Sequence, residues 1–77
     1  MATTSSSTKW ESLTAREREV VRYITKGANN KTIAKSLDIS LKTVEFHITN
    51  ILKKLEMNSR AEVIVWVFEQ DPEVSDS

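Results

Sequence analysis

Seventy-seven residues with no cysteine and a single histidine exclude a disulfide framework and a structural zinc site, which needs about four Cys or His ligands. A chain this short buries only roughly 60% of the surface that its unfolded form exposes, which leaves room for one thin core and no second domain. Eleven Lys and Arg balance eleven Asp and Glu, but the zero sum hides a gradient. Between Thr8 and Phe68 eleven cations face seven acids, a net of +4, whereas Glu69, Asp71, Glu73 and Asp76 all lie in the last nine residues. A mildly basic body suits a nucleic-acid partner, although a solvated surface gives the same balance. The longest apolar run, Val63 to Phe68, is far short of the roughly 20 residues that cross a bilayer, so no membrane partner is expected. The first residues lack the basic start and apolar stretch of a secretory signal, and a cytoplasmic protein is expected. The starting Met1 mildly favours a short natural protein over a domain cut from a larger regulator.

Residues 1–9 are rich in Ser and Thr, and residues 70–77 are acidic and interrupted by Pro72; both segments are expected to be disordered. Residues 10–69 form the domain. Thr14-Ala15-Arg16-Glu17 has the form of a capping box and opens helix 1, which the only glycine, Gly27, closes in a left-handed conformation. Arg16, Arg18, Glu19 and Arg22 are read as its solvated face. Asn29 caps helix 2, Asn30 to about Ser36, whose Ile33, Ala34 and Leu37 make a short buried stripe. Ser40 caps helix 3, Leu41 to about Leu55. Ser59-Arg60-Ala61-Glu62 is a second capping box, opening helix 4 from Arg60 to about Glu69; its β-branched run also suits a strand, and the cap decides for helix. The fold class is all-α, a four-helix bundle containing a helix-turn-helix.

Helix 3 carries the functional signal. At 100° per residue, Val44, Ile48, Ile51, Leu52 and Leu55 fall on one arc, and Lys42, Thr43, Phe46, Thr49, Asn50 and Lys53 on the opposite one. Helices 2 and 3, joined by Leu37-Asp38-Ile39-Ser40 with Leu37 and Ile39 inward, make a unit whose second helix can fill the major groove of DNA. On the outward arc Lys42 and Lys53 can reach phosphates. Thr43, Thr49 and Asn50 can bond phosphates or base edges, and Phe46 can touch a thymine methyl. A solvated face with one stray aromatic has the same periodicity.

The chain resembles the LuxR-type (GerE- or FixJ/NarL-type) DNA-binding domain. The resemblance runs from Leu13-Thr14-Ala15-Arg16-Glu17 through Gly27, Asn30-Lys31-Thr32-Ile33-Ala34, Leu37, Ile39-Ser40 and Lys42-Thr43-Val44. It continues through Phe46-His47, Asn50-Ile51, Lys53-Lys54-Leu55 and Ser59-Arg60-Ala61-Glu62, covering about Leu13 to Val67. The block Val44 to Asn50 looks most like the quorum-sensing branch of that family. The resemblance implies a four-helix fold with helix 3 as recognition helix, two-fold symmetric operators and helix 4 as dimer contact. The DNA-binding set is then Lys31, Lys42, Thr43, Glu45, Phe46, Thr49, Asn50 and Lys53. Three positions depart from the family's pattern: Glu45 and Thr49 stand where Lys or Arg is common, and Leu41 where a polar residue is. A carboxylate at position 45 repels phosphates unless it accepts from a cytosine N4 amine.

Neither catalysis nor a cofactor is expected. His47 has no accompanying ligand set and is read as packing with at most one hydrogen bond, and Glu17 and Glu19 project from different sides of helix 1 without a nucleophile beside them. Helix 4 shows an apolar arc of about 200°, much wider than the roughly 100° that one core needs. A homodimer through helix 4 is therefore expected, with Val63, Val65, Trp66 and Val67 as interface; Val63 and Val67 lie on one flank and Val65 on the other, and the wheel does not choose between them. The leading reading is a dimeric, double-stranded-DNA-binding transcriptional regulator, with the transcription machinery as a further partner. Its rival is a protein-interaction module that heterodimerises through helix 4 with a related regulator and antagonises it; a sigma-factor-like domain fits the Leu-Thr-x-Arg-Glu start less well.

Overall fold

The computed structural model describes residues 9–70, and of Gln70 the backbone alone. Every element among them is helical: a single turn at 9–11, then α1 (Ala15–Thr25), α2 (Asn30–Leu37), α3 (Leu41–Leu55) and α4 (Arg60–Gln70). The four expected helices are all present, and the β-branched run of α4 is helix. Expectations for residues 1–8 and 71–77 lie outside the described residues. Lys9, assigned from sequence to the leading segment, opens the helical turn, and its Nζ donates to the Leu55 carbonyl at 3.5 Å.

The helix starts follow the capping chemistry. Thr14 Oγ1 accepts from the Glu17 amide at 3.1 Å while Glu17 Oε1 accepts from the Thr14 amide at 2.9 Å, a reciprocal capping box. Asn29 Oδ1 accepts from the Thr32 amide at 2.9 Å, and Ser40 Oγ from that of Thr43 at 3.0 Å. At α4 one arm differs from expectation: Ser59 Oγ accepts from the Glu62 amide at 3.3 Å, but Glu62 Oε2 accepts from Asn58 N at 3.2 Å, one residue earlier than a reciprocal box requires.

The ends of α1, α2 and α3 share one device. In each, a residue just past the helix takes positive φ, at 85° for Gly27 and 57° for Asp38 and Glu56. The next amide then reaches back five residues: Ala28 to Tyr23 O at 3.1 Å, Ile39 to Ala34 O at 3.0 Å and Met57 to Leu52 O at 2.9 Å. These are Schellman closures, which satisfy carbonyls otherwise orphaned at a helix end. Glycine fits the left-handed region freely and Asp tolerates it. For Glu56 the Cβ strain is of order 1 kcal/mol.

All four helices feed one core of Leu13, Val20, Val21, Ile24, Ile33, Val44, Ile48, Ile51, Leu55, Val63 and Val67. This corrects the expected dimer surface: Val63 and Val67 are interior, at 1% and 8% exposure, because their flank of α4 packs onto the other helices. Trp66 is half-buried, with its ring 6.0 Å from that of Trp10 on the N-terminal turn. Arg18, expected in solvent, is also half-buried; it donates from Nε to the Trp10 carbonyl at 3.3 Å and lies 5.8 Å from the centre of the Trp10 ring. Arg16 and Glu19 do form an exposed pair at 3.3 Å, of a kind worth little.

Two polar ties cross this core. Glu17, 4% exposed, receives Lys54 Nζ from α3 at 2.8 Å. Burial pushes its carboxyl upward, but the hydrogen bonds from Lys54 and Thr14 and the Lys54 charge outweigh that and hold it below the ordinary 4.5. Arg60, at the start of α4, donates to the Ala28 carbonyl at 2.9 Å and to Asn30 Oδ1.

A carboxyl whose folded value is depressed stabilises the fold fully above its unfolded value, and that contribution is lost as pH falls through the folded one. Thermal unfolding should therefore be insensitive to Glu17 titration near pH 7 and lose stability on acidification below about pH 4.5. Glu17→Gln should be less stable at pH 7 by about 2 kcal/mol, the loss of a charge-assisted bond, and should show a flatter acid dependence by circular dichroism. The strain at position 56 gives the opposite sign: Glu56→Gly should raise stability by about 0.5–1 kcal/mol in urea unfolding, unlike most substitutions.

Candidate nucleic-acid interface

The α2-turn-α3 unit is set by a few buried side chains. Ile33 and Val44 are fully enclosed on either side of the turn, and Leu37 and Ile39 are half-buried against the same core, as the sequence implies. The left-handed Asp38 reverses the chain, and Ser40 at once caps α3, so only three residues separate the helices. Inside α3, Val44, Ile48, Ile51 and Leu55 are buried, and Leu52 is half-buried beside them. The helix is thereby held by one stripe and displays the other.

On the displayed side Lys42, Glu45, Phe46, Thr49 and Lys53 are exposed, and Thr43 and Asn50 are half-buried at its edge. The Thr43 hydroxyl is drawn into the cap, 2.8 Å from Ser40 Oγ. Lys31, exposed near the start of α2, lines a shallow depression with Lys35 and Leu41, which brings it to the N-terminal end of α3. The structure thus gathers the eight sequence-assigned residues around the outer side of α3 and the start of α2.

The electrostatics of this side separate two neighbouring lysines. Lys54 turns inward to Glu17, whereas Lys42 and Lys53 form no ion pair among the described residues. Both side chains are exposed and open to an anionic partner. Glu45 is also unpaired among the described residues, an acid at the rim of a cationic arc. His47 is half-buried with its ring 6.0 Å from that of Phe46, and its buried Nδ1 has no hydrogen-bond partner among the described residues. Packing places this ring. Among the described residues no three His, Cys, Asp or Glu side chains gather as a metal site requires, and no helix is long and apolar enough to cross a membrane.

A second uncovered surface lies on α4. With Val63 and Val67 inside, the side facing away from the core carries Ala61 and Val65, the latter 55% exposed, bordered by the half-buried Ile64 and Phe68. Sequence reasoning also passed over three tertiary partners: Lys54, Arg60 and Trp10. The paired Lys53-Lys54 held the one usable hint, since adjacent helical residues point 100° apart and only one of them can face the groove.

Comparison with known proteins agrees with this geometry. The luxR family of bacterial regulatory proteins matches residues 11–67, from the N-terminal turn to the last buried residue of α4. The nitrate/nitrite response regulator protein NarL of Escherichia coli strain K12 is 45% identical over 58 residues, covering 75% of this chain and 27% of NarL. The response regulator protein VraR of Staphylococcus aureus strain Mu3 is 40% identical over 62 residues, covering 80% of this chain and 30% of VraR. The chain therefore spans less than a third of the length of either relative. With a match across nearly all the described helices and a helix-turn-helix that displays Lys42 and Lys53 on its outer side, the chain belongs to the luxR family of bacterial regulatory proteins and is a DNA-binding domain of that family.

Proposed function

We propose that the protein binds double-stranded DNA sequence-specifically as a homodimer and thereby regulates transcription, without chemistry of its own. The observation that carries the reading is the two-sided α3: a buried apolar stripe against the core, and an outer arc with Lys42 and Lys53 unpaired among the described residues. Lys31, Lys42 and Lys53 neutralise phosphates and fix the register of α3 in the major groove. Thr49 and Asn50 present donors and acceptors to base edges, Thr43 holds the helix start, and Glu45 disfavours contacts that bring it near a phosphate. The work would be done in the cytoplasm, where a bacterial chromosome and the transcription machinery are found.

The dimer rests on the exposed strip of α4. Val65 with Ala61 offers an apolar surface that the chain's own helices leave open, and a second copy covers it by two-fold symmetry. The same strip would serve a mixed dimer with a related regulator, the reading that Glu45 favours.

Binding to random duplex DNA should weaken linearly in log affinity with log salt, with a slope of about −3 per subunit for three phosphate contacts. Glu45→Lys should raise affinity for random duplex and steepen that slope by about 1. Salt-independent binding, or no binding at low salt, would promote the mixed-dimer reading. Val65→Asp should remain helical, become monomeric in light scattering and lose about a hundredfold in affinity for a symmetric duplex selected from a random pool, because two linked reading helices gain from effective concentration. Val63→Asp, with its carboxylate forced into the core, should unfold the chain instead. A folded Val65→Asp that binds as tightly as the parent would show that the domain works as a monomer.

A further inference from the structure

Phe46 is the most exposed large apolar side chain among the described residues, at 62% against 55% for Val65 and 43% for Leu41. It does not stand at a border between core and solvent. One turn before it lies Lys42, one turn after it Thr49 and Asn50, and two turns after it Lys53, so the ring rises from the middle of the cationic arc. Its recorded aromatic neighbour, His47, is adjacent in the chain with ring centres 6.0 Å apart, which leaves most of the phenyl uncovered.

An apolar protein surface laid over Phe46 would also strip water from the exposed Lys42, Lys53 and Thr49, at a cost that one ring does not offset. A major groove meets the same neighbourhood without that conflict. Phosphates receive the lysines, base edges receive Thr49 and Asn50, and the apolar group that base pairs present there is the C5-methyl of thymine. Wedging between bases from the minor groove is excluded by shape, because the ring projects from the middle of a fifteen-residue helix and the minor groove is only about 6 Å wide. Building on the DNA-binding reading above, we infer that Phe46 is a specificity-determining residue that reads a thymine methyl group, so that each half-site contains one thymine recognised by its methyl.

The test removes the methyl and nothing else. Duplexes selected by the protein from a randomised pool are resynthesised with deoxyuridine replacing one thymidine at a time. Affinities are measured for the parent and for Phe46→Ser at low salt, where phosphate contacts keep every variant within range. Circular dichroism should show Phe46→Ser as helical as the parent, its side chain being largely in solvent. One position per half-site should cost the parent about fourfold, which is ~0.8 kcal/mol for one buried carbon at 1.4 kcal/mol per tenfold. The same replacement should leave Phe46→Ser unchanged. Enriched duplexes indifferent to deoxyuridine everywhere, or a loss of equal size in both proteins, would overturn the inference and leave the DNA-binding reading standing. A pool that yields no enriched duplex would overturn the sequence-specific reading and this inference with it.

Discussion

A carboxylate almost out of water sits where the start of α1 meets the end of α3. Glu17 closes the capping box that starts α1, and the same oxygen receives the ammonium of Lys54 from the last turn of α3. Burying that charge alone would be strongly unfavourable, so the carboxylate is tolerable only while both donors are in place. The start of α1 and the end of α3 are thus held at a fixed distance, and α3 cannot roll about its axis without breaking the bond. The buried stripe of α3 supplies adhesion, whereas Glu17 supplies orientation. Which residues face outward, and hence which ones can meet DNA, depends on that orientation.

The division between Lys53 and Lys54 follows directly. Two cations adjacent in the chain have opposite roles because 100° of helical rotation places one toward a buried acid and the other toward solvent. A basic patch counted from sequence would include both lysines. Only Lys53 belongs to the outer arc together with Lys42, and the local field there is correspondingly smaller and more directional. Glu45, exposed on the same side, trims it further.

Most of the fold could be read from local signals. Thr14, Asn29 and Ser40 announced three helix starts, Gly27 announced one end, and the 3.6-residue periodicity of Val44, Ile48, Ile51 and Leu55 identified the inner side of α3. The displayed side followed by geometry, which is why Lys42, Phe46, Thr49 and Lys53 could be assigned to it in advance. What escaped was tertiary. The apolar arc of α4 has no polar break between Val63 and Val65 that marks which flank lies inside, and packing alone put Val63 and Val67 in the core. Arg18, Lys54 and Arg60 look like surface charges in sequence because their partners, Trp10, Glu17 and the Ala28–Asn30 connection, lie 8, 37 and 30 or more residues away. The left-handed turns at Asp38 and Glu56 carry no glycine to announce them.

The guanidinium of Arg60 has a mechanical consequence. It braces the first turn of α4 against the segment that leads into α2, so the surface proposed to hold a second copy and the helix pair proposed to enter DNA are struts of one frame. In a two-fold pair built on α4, the separation between the two reading helices would be a property of the protein, with little slack for DNA to adjust. Successive major-groove faces recur about every 34–36 Å along the duplex. A rigid pair of this kind would act as a caliper, sensitive to the phasing of two half-sites as well as to the letters within each.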